Sequence, residues 1–352
     1  MRRSHFSAFA PICPRCHARG EDAPLTLALV FDEQDGHVLQ GIITCPVCRQ
    51  EFPIIDGLPL LLADLRGYVG PAMPVLLARR DLAPPLMSVL TDAAGPGGVV
   101  DSVRQTLSSY AWDHYGEFDP EEAAGSGNSP GAVARCLNAG LELLPFPPAG
   151  PAIDLGCGPG RSTFALAARV EGPVLGIDLS FPLIALGAQV LRHGRLGYAR
   201  RRIGLVYDQR DFAVPMEAAA RVDFWVCDVQ ALPFRPGQFG MVGALNLIDC
   251  LQAPADGLAA IAGLLRPGGQ AVLATPYDWS GSVTPVERWL GGHSQRGSHG
   301  GAGESVLRHL LGDGGLALAA EDGDVLWQVR LHDRAIMRYS AHLVAATKGA
   351  AP

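Results

Sequence analysis

The chain has 352 residues, with 28 Lys and Arg against 35 Asp and Glu and a net charge of −7. A chain of this length builds two or three domains and buries its core without staples, and 48% hydrophobic against 18% charged residues excludes intrinsic disorder. The acidity excludes a wholly basic nucleic-acid binder, though not a local basic patch. No apolar run reaches the roughly 20 residues of a membrane helix, and the segment before Cys13 lacks a secretory apolar core, so a soluble, cytoplasmic protein with no membrane partner is expected.

Four stretches follow in order. Residues 1–62 carry paired cysteines; residues 63–148 are rich in Pro, Ala and Gly and read as a helical connector that caps a site; residues 149–281 alternate strands and helices; residues 282–352 open with a Gly/Ser/His loop, end in two strand-like runs and form one domain, 149–352, with the third stretch. Cys13-Pro-Arg-Cys16 and Cys45-Pro-Val-Cys48 are two C-x-x-C knuckles 28 residues apart. Four thiolates suit a tetrahedral structural zinc with no open position for catalysis. The spacer is long because Leu25 to Phe31 and Val38 to Thr44 read as a hairpin between the knuckles. Two disulfides or four unrelated thiols are the alternatives, and nothing points to the oxidising compartment a disulfide needs. Cys136, Cys157, Cys227 and Cys250 stand singly among apolar residues and read as small buried hydrophobes.

From residue 149 the pattern is rhythmic. Strands are expected at Ala152–Leu155, Val174–Ile177, Val222–Val226, Phe239–Leu247 and Gln270–Ala274. Helices are expected at Ser162–Val170, Pro182–Leu191 and Ala255–Leu265. Such alternation implies a parallel sheet with helices on both faces. Val325–Leu331 and Met337–Ala346 add antiparallel strands at one edge. The first strand runs into Asp154-Leu155-Gly156-Cys157-Gly158-Pro159-Gly160-Arg161, where glycines let a ligand approach the backbone. The second ends at Asp178, 22 residues after Gly156, placed to accept ribose hydroxyls or to cap the next helix, a task Ser180 also suits. The third ends at Cys227-Asp228-Val229 and the fourth at Asn246-Leu247-Ile248-Asp249-Cys250.

These landmarks, with the Leu265-Arg266-Pro267-Gly268-Gly269 turn, resemble class I S-adenosylmethionine-dependent methyltransferases. The resemblance implies a Rossmann-like class I methyltransferase fold, a seven-stranded mostly parallel sheet with an antiparallel edge strand. It implies S-adenosylmethionine (SAM) as cofactor, held by Asp154, Gly156, Gly158, Gly160, Asp178, Asp228, Val229, Asn246 and Tyr115. There Asp228 would bind the adenine amino group and Val229 would supply a backbone N–H. The cysteine quartet and Phe52-Pro53-Ile54-Ile55-Asp56-Gly57-Leu58-Pro59 resemble the zinc-ribbon family of small activator subunits that partner tRNA and release-factor methyltransferases. Here the ribbon is fused to the catalytic domain, and it is expected to pack on that domain and to cover the mouth of the sheet crevice.

A further resemblance narrows the acceptor. Tyr110-Ala111-Trp112-Asp113-His114-Tyr115-Gly116-Glu117, Thr275-Pro276-Tyr277-Asp278-Trp279 and Trp289-Leu290-Gly291-Gly292 look like the methyltransferase domain of ovothiol biosynthesis. That domain methylates an imidazole nitrogen of a sulfanylhistidine. The similarity spans about residues 110 to 300 and departs at Cys157, Cys250, the loop 293–303 and the ribbon. A neutral imidazole already has a lone pair, so a polar group that fixes its tautomer suffices. Asp249 is the first catalytic candidate, followed by Tyr277, His114 and Tyr115. The alternative is an RNA or protein methyltransferase that uses the ribbon and the cluster Arg192, Arg195, Arg200, Arg201, Arg202 and Arg210. That cluster reads equally as a solvated helix end and loop. A binding module that has kept the fold and lost the acceptor site is the third reading. The loop with His293 and His299 is a lid over the acceptor or a surface loop.

Overall fold

The computed structural model describes residues 1–65, 67–68, 96–97, 99–122 and 129–349. The short helical patterns expected between residues 69 and 95 lie outside them. The ribbon comprises α1 (Arg3–Phe9), α2 (Pro14–His17), β1 (Thr26–Gln34), β2 (His37–Thr44), β3 (Glu51–Ile55) and β4 (Leu58–Leu61). Two helices follow, α3 (Val99–Tyr115) and α4 (Ala132–Glu142). The alternating region is β5 (Ala152–Leu155), α5 (Arg161–Ala167), β6 (Val174–Asp178), α6 (Phe181–His193), β7 (Arg195–Ile203), β8 (Val206–Ala213), β9 (Val222–Cys227), β10 (Phe239–Leu245), α7 (Pro254–Leu264) and β11 (Leu265–Thr275). The chain ends with α8 (Gly303–Asp313), β12 (Leu316–His332) and β13 (Ala335–Lys348).

The central strands β5, β9 and β10 are buried along their whole length. That matches their unbroken apolar runs, because a parallel strand covered by helices on both faces has no wet side. The order β9-β6-β5-β10-β11-β13-β12 gives the seven expected strands, with β13 antiparallel to β11 through Gln270↔Thr347 to Thr275↔His342. This is the class I methyltransferase fold. The Arg266–Gly269 turn is absorbed into β11, whose pairing with β10 jumps between Phe239 and Met241. Gly268 supplies the positive φ of 74° that this irregularity uses. Helix α6 starts with Pro182 in its first turn and stops at Gly194, whose φ of 62° is left-handed.

The ribbon is continuous with this sheet. Strand β4 pairs in parallel with β9 through Leu60↔Val226 and Leu61↔Cys227, which makes one sheet of eleven strands. Phe9 is 1% exposed and sits among Trp225, Phe234 and Phe239 at ring distances of 5.7, 6.5 and 6.0 Å. The Arg2 backbone N–H donates to buried Asp223 at 2.7 Å. Burying one such phenylalanine contributes about 1.5–3 kcal/mol, so this contact ties the ribbon to the catalytic domain.

The segment from Arg195 to Ala213, read above as a helix end and loop, is a two-stranded hairpin. Leu196, Tyr198 and Phe212 are its buried side chains. The arginines face acids: Arg195 meets Asp211, Arg200 meets Glu122 and Asp208, Arg202 meets Asp333, and Arg210 forks onto Asp119 with Glu121 beside it. Arg192 donates to the Asp56 carbonyl and Arg201 to Gln105. Each of the six has a protein partner; the Arg210 fork is buried, while Arg195 and Arg202 keep about half of their side chains exposed.

Candidate active site

The carboxyl ends of β5, β6, β9, β10 and β11 open onto a cavity of about 960 Å3, in the position where open α/β sheets bind ligands. It lies at the upper end of the range for small-molecule sites. Gly156 and Gly158 line it from the loop after β5, Asp178 from β6, Asp228 and Val229 from beyond β9, and Asn246 and Asp249 from beyond β10. The structure therefore brings together seven of the residues expected at the site.

The glycine loop is fixed from several sides. Gly156 has φ 68°, and a Cβ there would come within 2.8 Å of Leu247. Gly158 donates its N–H to Asp178 Oδ2 at 2.8 Å, while Asp178 Oδ1 accepts from Ser180 N at 2.7 Å. The Ser180 side chain makes no capping bond, so Asp178 steadies both the loop and the entry to α6. Burial pushes its carboxyl above the ordinary carboxylate value.

Three residues expected to touch cofactor stand behind the cavity instead. Asp154 is buried and accepts from Ser162 Oγ at 2.6 Å and Thr163 Oγ1 at 2.7 Å, so it locks the first turn of α5 onto β5. Burial raises it to about 6. A Cβ on Gly160 would lie 2.4 Å from the Phe224 ring; this glycine serves close helix–sheet packing. Tyr115 is fully buried, and its hydroxyl donates to the Pro159 carbonyl at 2.6 Å. With Arg161 N donating to His114 Nδ1 at 3.2 Å and the Arg161 guanidinium on Glu117 at 2.6 Å, it clamps α3 to the glycine loop. His114 does line the cavity, and burial drives it down to about 3, so its ring is neutral.

At the other end of the cavity Asp249 follows β10. It is 5% exposed; its Oδ2 accepts the Asp278 N–H at 2.9 Å, and its Oδ1 finds no hydrogen-bond partner among the described residues. Burial raises its pKa, opposed by the Asp278 N–H and the Thr275 hydroxyl. Tyr277 does not line this cavity. Its hydroxyl lies 2.7 Å from His342 Nδ1, beside a smaller pocket at Glu321 and Arg308, so its expected catalytic place is corrected: it braces β11 against β13. The 291–303 loop forms turns before α8, and none of its described residues lines the cavity. The described lining starts at Gln105, so the ribbon packs along the sheet and does not cover the crevice mouth.

Reading the sequence overlooked Gln105 on α3 and Trp327, Met337 and Tyr339 on the last two strands, and it gave Tyr110 and Asp278 no role of their own. Nothing local says which face of a helix meets a distant strand edge. Asp113 also reaches the cavity. It accepts from Trp327 Nε1 at 3.0 Å and Ala132 N at 3.2 Å, and burial raises it to about 7.

In the ribbon, the four Sγ atoms of Cys13, Cys16, Cys45 and Cys48 lie within 4.8 Å of one another, with Cys13–Cys48 at 3.6 Å and Cys16–Cys45 at 3.8 Å. Tetrahedral zinc with bonds of about 2.3 Å sets sulfurs roughly 3.8 Å apart. The Cys48 N–H points at Cys45 Sγ, 3.4 Å away. The donor set and spacing fit such an ion.

Residues 153–273 match the family described as a methyltransferase domain. An uncharacterized protein in transposon TN4556 of Streptomyces fradiae is 30% identical over 141 residues, which cover 40% of this chain and 33% of that one. A ubiquinone biosynthesis O-methyltransferase of Methylococcus capsulatus is 30% identical over 179 residues, 49% of this chain and 65% of that one. The chain thus spans a third to two thirds of the length of these relatives. Among solved structures, the [4+2]-cyclase SpnF is 16% identical, with a TM-score of 0.45 over 65% of this chain and 86% of that one. No helix among the described residues is long and apolar enough to cross a membrane.

Proposed function

We propose that this protein transfers a methyl group from SAM to a small polar acceptor that gives up a proton on methylation. An imidazole nitrogen of a histidine derivative is the acceptor that the Tyr110–Glu117 and Thr275–Trp279 motifs suggest; a hydroxyl is the one that the Methylococcus relative's name suggests. The observation that carries the reading is Asp249 Oδ1, a buried atom without a hydrogen-bond partner among the described residues, on a residue that lines the cavity just beyond β10.

The cofactor end fits the donor on two counts. Gly156 and Gly158 leave open backbone beside Asp178, and Asn246 Oδ1 is buried without a partner among the described residues. Asp178 would hold the ribose hydroxyls, with Asp228 and Val229 at the adenine. When bound, the donor supplies an electrophilic methyl on a sulfonium. The acceptor lone pair forms the new bond to that carbon as the carbon–sulfur bond breaks, and sulfur keeps the electron pair. Asp249 would orient the acceptor and take the proton it gives up, from the attacking oxygen of a hydroxyl or from the other ring nitrogen of an imidazole. Most of the acceleration comes from holding the two partners in line and excluding water. Cys13, Cys16, Cys45 and Cys48 hold a structural zinc that keeps β4 in position on β9 and takes no part in the chemistry.

The test is a radiolabelled-methyl assay with SAM and a panel of imidazoles, phenols, RNA and protein. Methylation of a small imidazole or hydroxyl compound, lost in Asp249→Asn, is expected. Transfer only to RNA or protein would overturn the small-acceptor reading.

A further inference from the structure

The acceptor end of the cavity is rich in carboxylates. Asp249 is nine-tenths buried with Oδ1 unpartnered, and Asp278 stands next to it, its N–H on Asp249 and its Oδ2 accepting the Tyr339 hydroxyl at 2.9 Å. Cys250 is exposed and so is not the buried hydrophobe its apolar neighbours suggest; its thiol is pushed up to about 12, first by desolvation and then by Asp249, Asp178 and Asp278. Burial raises both tyrosines, with Asp278 and Asp249 acting on Tyr339 and Cys250 and Asp178 on Tyr110, and all five side chains line the cavity.

The cations that line the cavity are engaged elsewhere or uncharged. Arg201 donates to Gln105 at 2.7 Å and to the Gly204 carbonyl at 2.9 Å, His114 is neutral, and His332 Nδ1 accepts the Arg334 N–H at 3.2 Å. Among the described residues neither Asp249 nor Asp278 forms an ion pair, whereas Arg195, Arg200, Arg202 and Arg210 of the hairpin are paired with other acids. An unpaired, desolvated carboxylate is costly, and a site that keeps one is complete only with a positive group. The sulfonium of the donor meets part of that need, but it is spent in each turnover.

We infer that the acceptor carries a cationic nitrogen, separate from the atom that is methylated, seated between Asp249 and Asp278 with the Tyr110 and Tyr339 rings beside it. This rests on the methyltransferase reading above and names the substrate class for it. Carboxylates supply the attraction, and the aromatic faces add a cation–π contribution. The same field turns away acceptors that present a carboxylate or phosphate at this end.

The experiment uses the full-length protein saturated with S-adenosylhomocysteine, in which the sulfonium charge is gone. Six probes are titrated by calorimetry: histamine, 4-methylimidazole and imidazole-4-acetate, then tyramine, 4-methylphenol and 4-hydroxyphenylacetate. In at least one series the amine is expected to bind tenfold or more tightly than its neutral analogue, with the acid weakest. Asp278→Asn, which keeps an acceptor for the Tyr339 hydroxyl, is expected to cut that preference to under threefold without changing affinity for S-adenosylhomocysteine. A flat or reversed order, or binding of none of the six by the loaded protein, overturns the inference and leaves the methyltransferase reading standing. Failure to bind S-adenosylhomocysteine overturns that earlier reading instead.

Discussion

Asp178 has both oxygens engaged by backbone N–H groups, whereas Asp249 has one engaged and one free. In the proposed function the first holds the glycine loop and the donor, and the second receives a proton. Asp249→Asn is expected to lower kcat by about 10²–10⁴, the range for losing a positioned base, with affinity for S-adenosylhomocysteine unchanged. The pKa of Asp249 lies above the carboxylate norm, so wild-type kcat falls as acid protonates it, starting above the usual pKa of about 4. That acid limb disappears in the variant; a retained limb would assign it to another group. Asp113 makes a separate prediction. Its pKa is about 7 in the fold against 3.8 in the unfolded chain, so the native state holds its proton where the unfolded state has lost it. Its contribution to stability is complete below pH 4 and is lost as pH rises through 7, by roughly 4 kcal/mol at most. The melting temperature of Asp113→Asn relative to wild type is expected to rise between pH 5 and 8. At this scale the sequence showed which residues end the strands, because strand ends follow from apolar runs and turns. It did not show depth: Asp154, Gly160 and Tyr115 lie one layer behind the cavity, and motif order carries no information about that layer.

Among elements, the β7–β8 hairpin is the one the sequence concealed. Its outward positions are arginines, which hide the period-two signal of Leu196 and Tyr198. In the fold they join the hairpin to the C-terminal end of α3 and to the β12–β13 turn; Arg201 N donates to Ser108 Oγ at 2.7 Å and Asp333 N to the Arg202 carbonyl at 3.1 Å. The Arg210–Asp119 fork is buried on both sides, 6% exposed each. Arg210→Ala leaves an uncompensated buried carboxylate, so denaturant unfolding is expected to show a loss of about 3–5 kcal/mol. A loss under 1 kcal/mol would mean that water reaches Asp119 and that the fork is a surface pair. The sequence offered only short helical patterns before residue 148, and the face that α3 turns to the cavity depends on the hairpin packed against it, which local pattern does not specify.

Across the whole molecule, ribbon and catalytic domain share a sheet. The two C-x-x-C knuckles and their hairpin were legible because ligand spacing is local. The joining of β4 to β9 was not, because a pairing across about 165 residues leaves no local trace. This continuity predicts that the two parts fail together. Cys45→Ser is expected to lose bound zinc, measured by elemental analysis, and to lower the melting temperature of the entire protein; full metal content in the variant would refute the zinc assignment. Phe9→Ala, which empties the space among Trp225, Phe234 and Phe239, is expected to cost about 3–5 kcal/mol in a single transition. Two separated transitions would show that the ribbon unfolds independently.

All of these consequences presuppose a donor site at the carboxyl edge of the sheet. Calorimetric titration of the full-length protein with S-adenosylhomocysteine, repeated on Asp178→Ala, tests that most directly. Removing hydrogen bonds to a charged carboxylate costs about 1.5–3 kcal/mol, so saturable one-to-one binding is predicted for wild type and at least tenfold weaker binding for the variant. No heat of binding in a folded wild-type protein, or equal affinity in the two, would contradict the account.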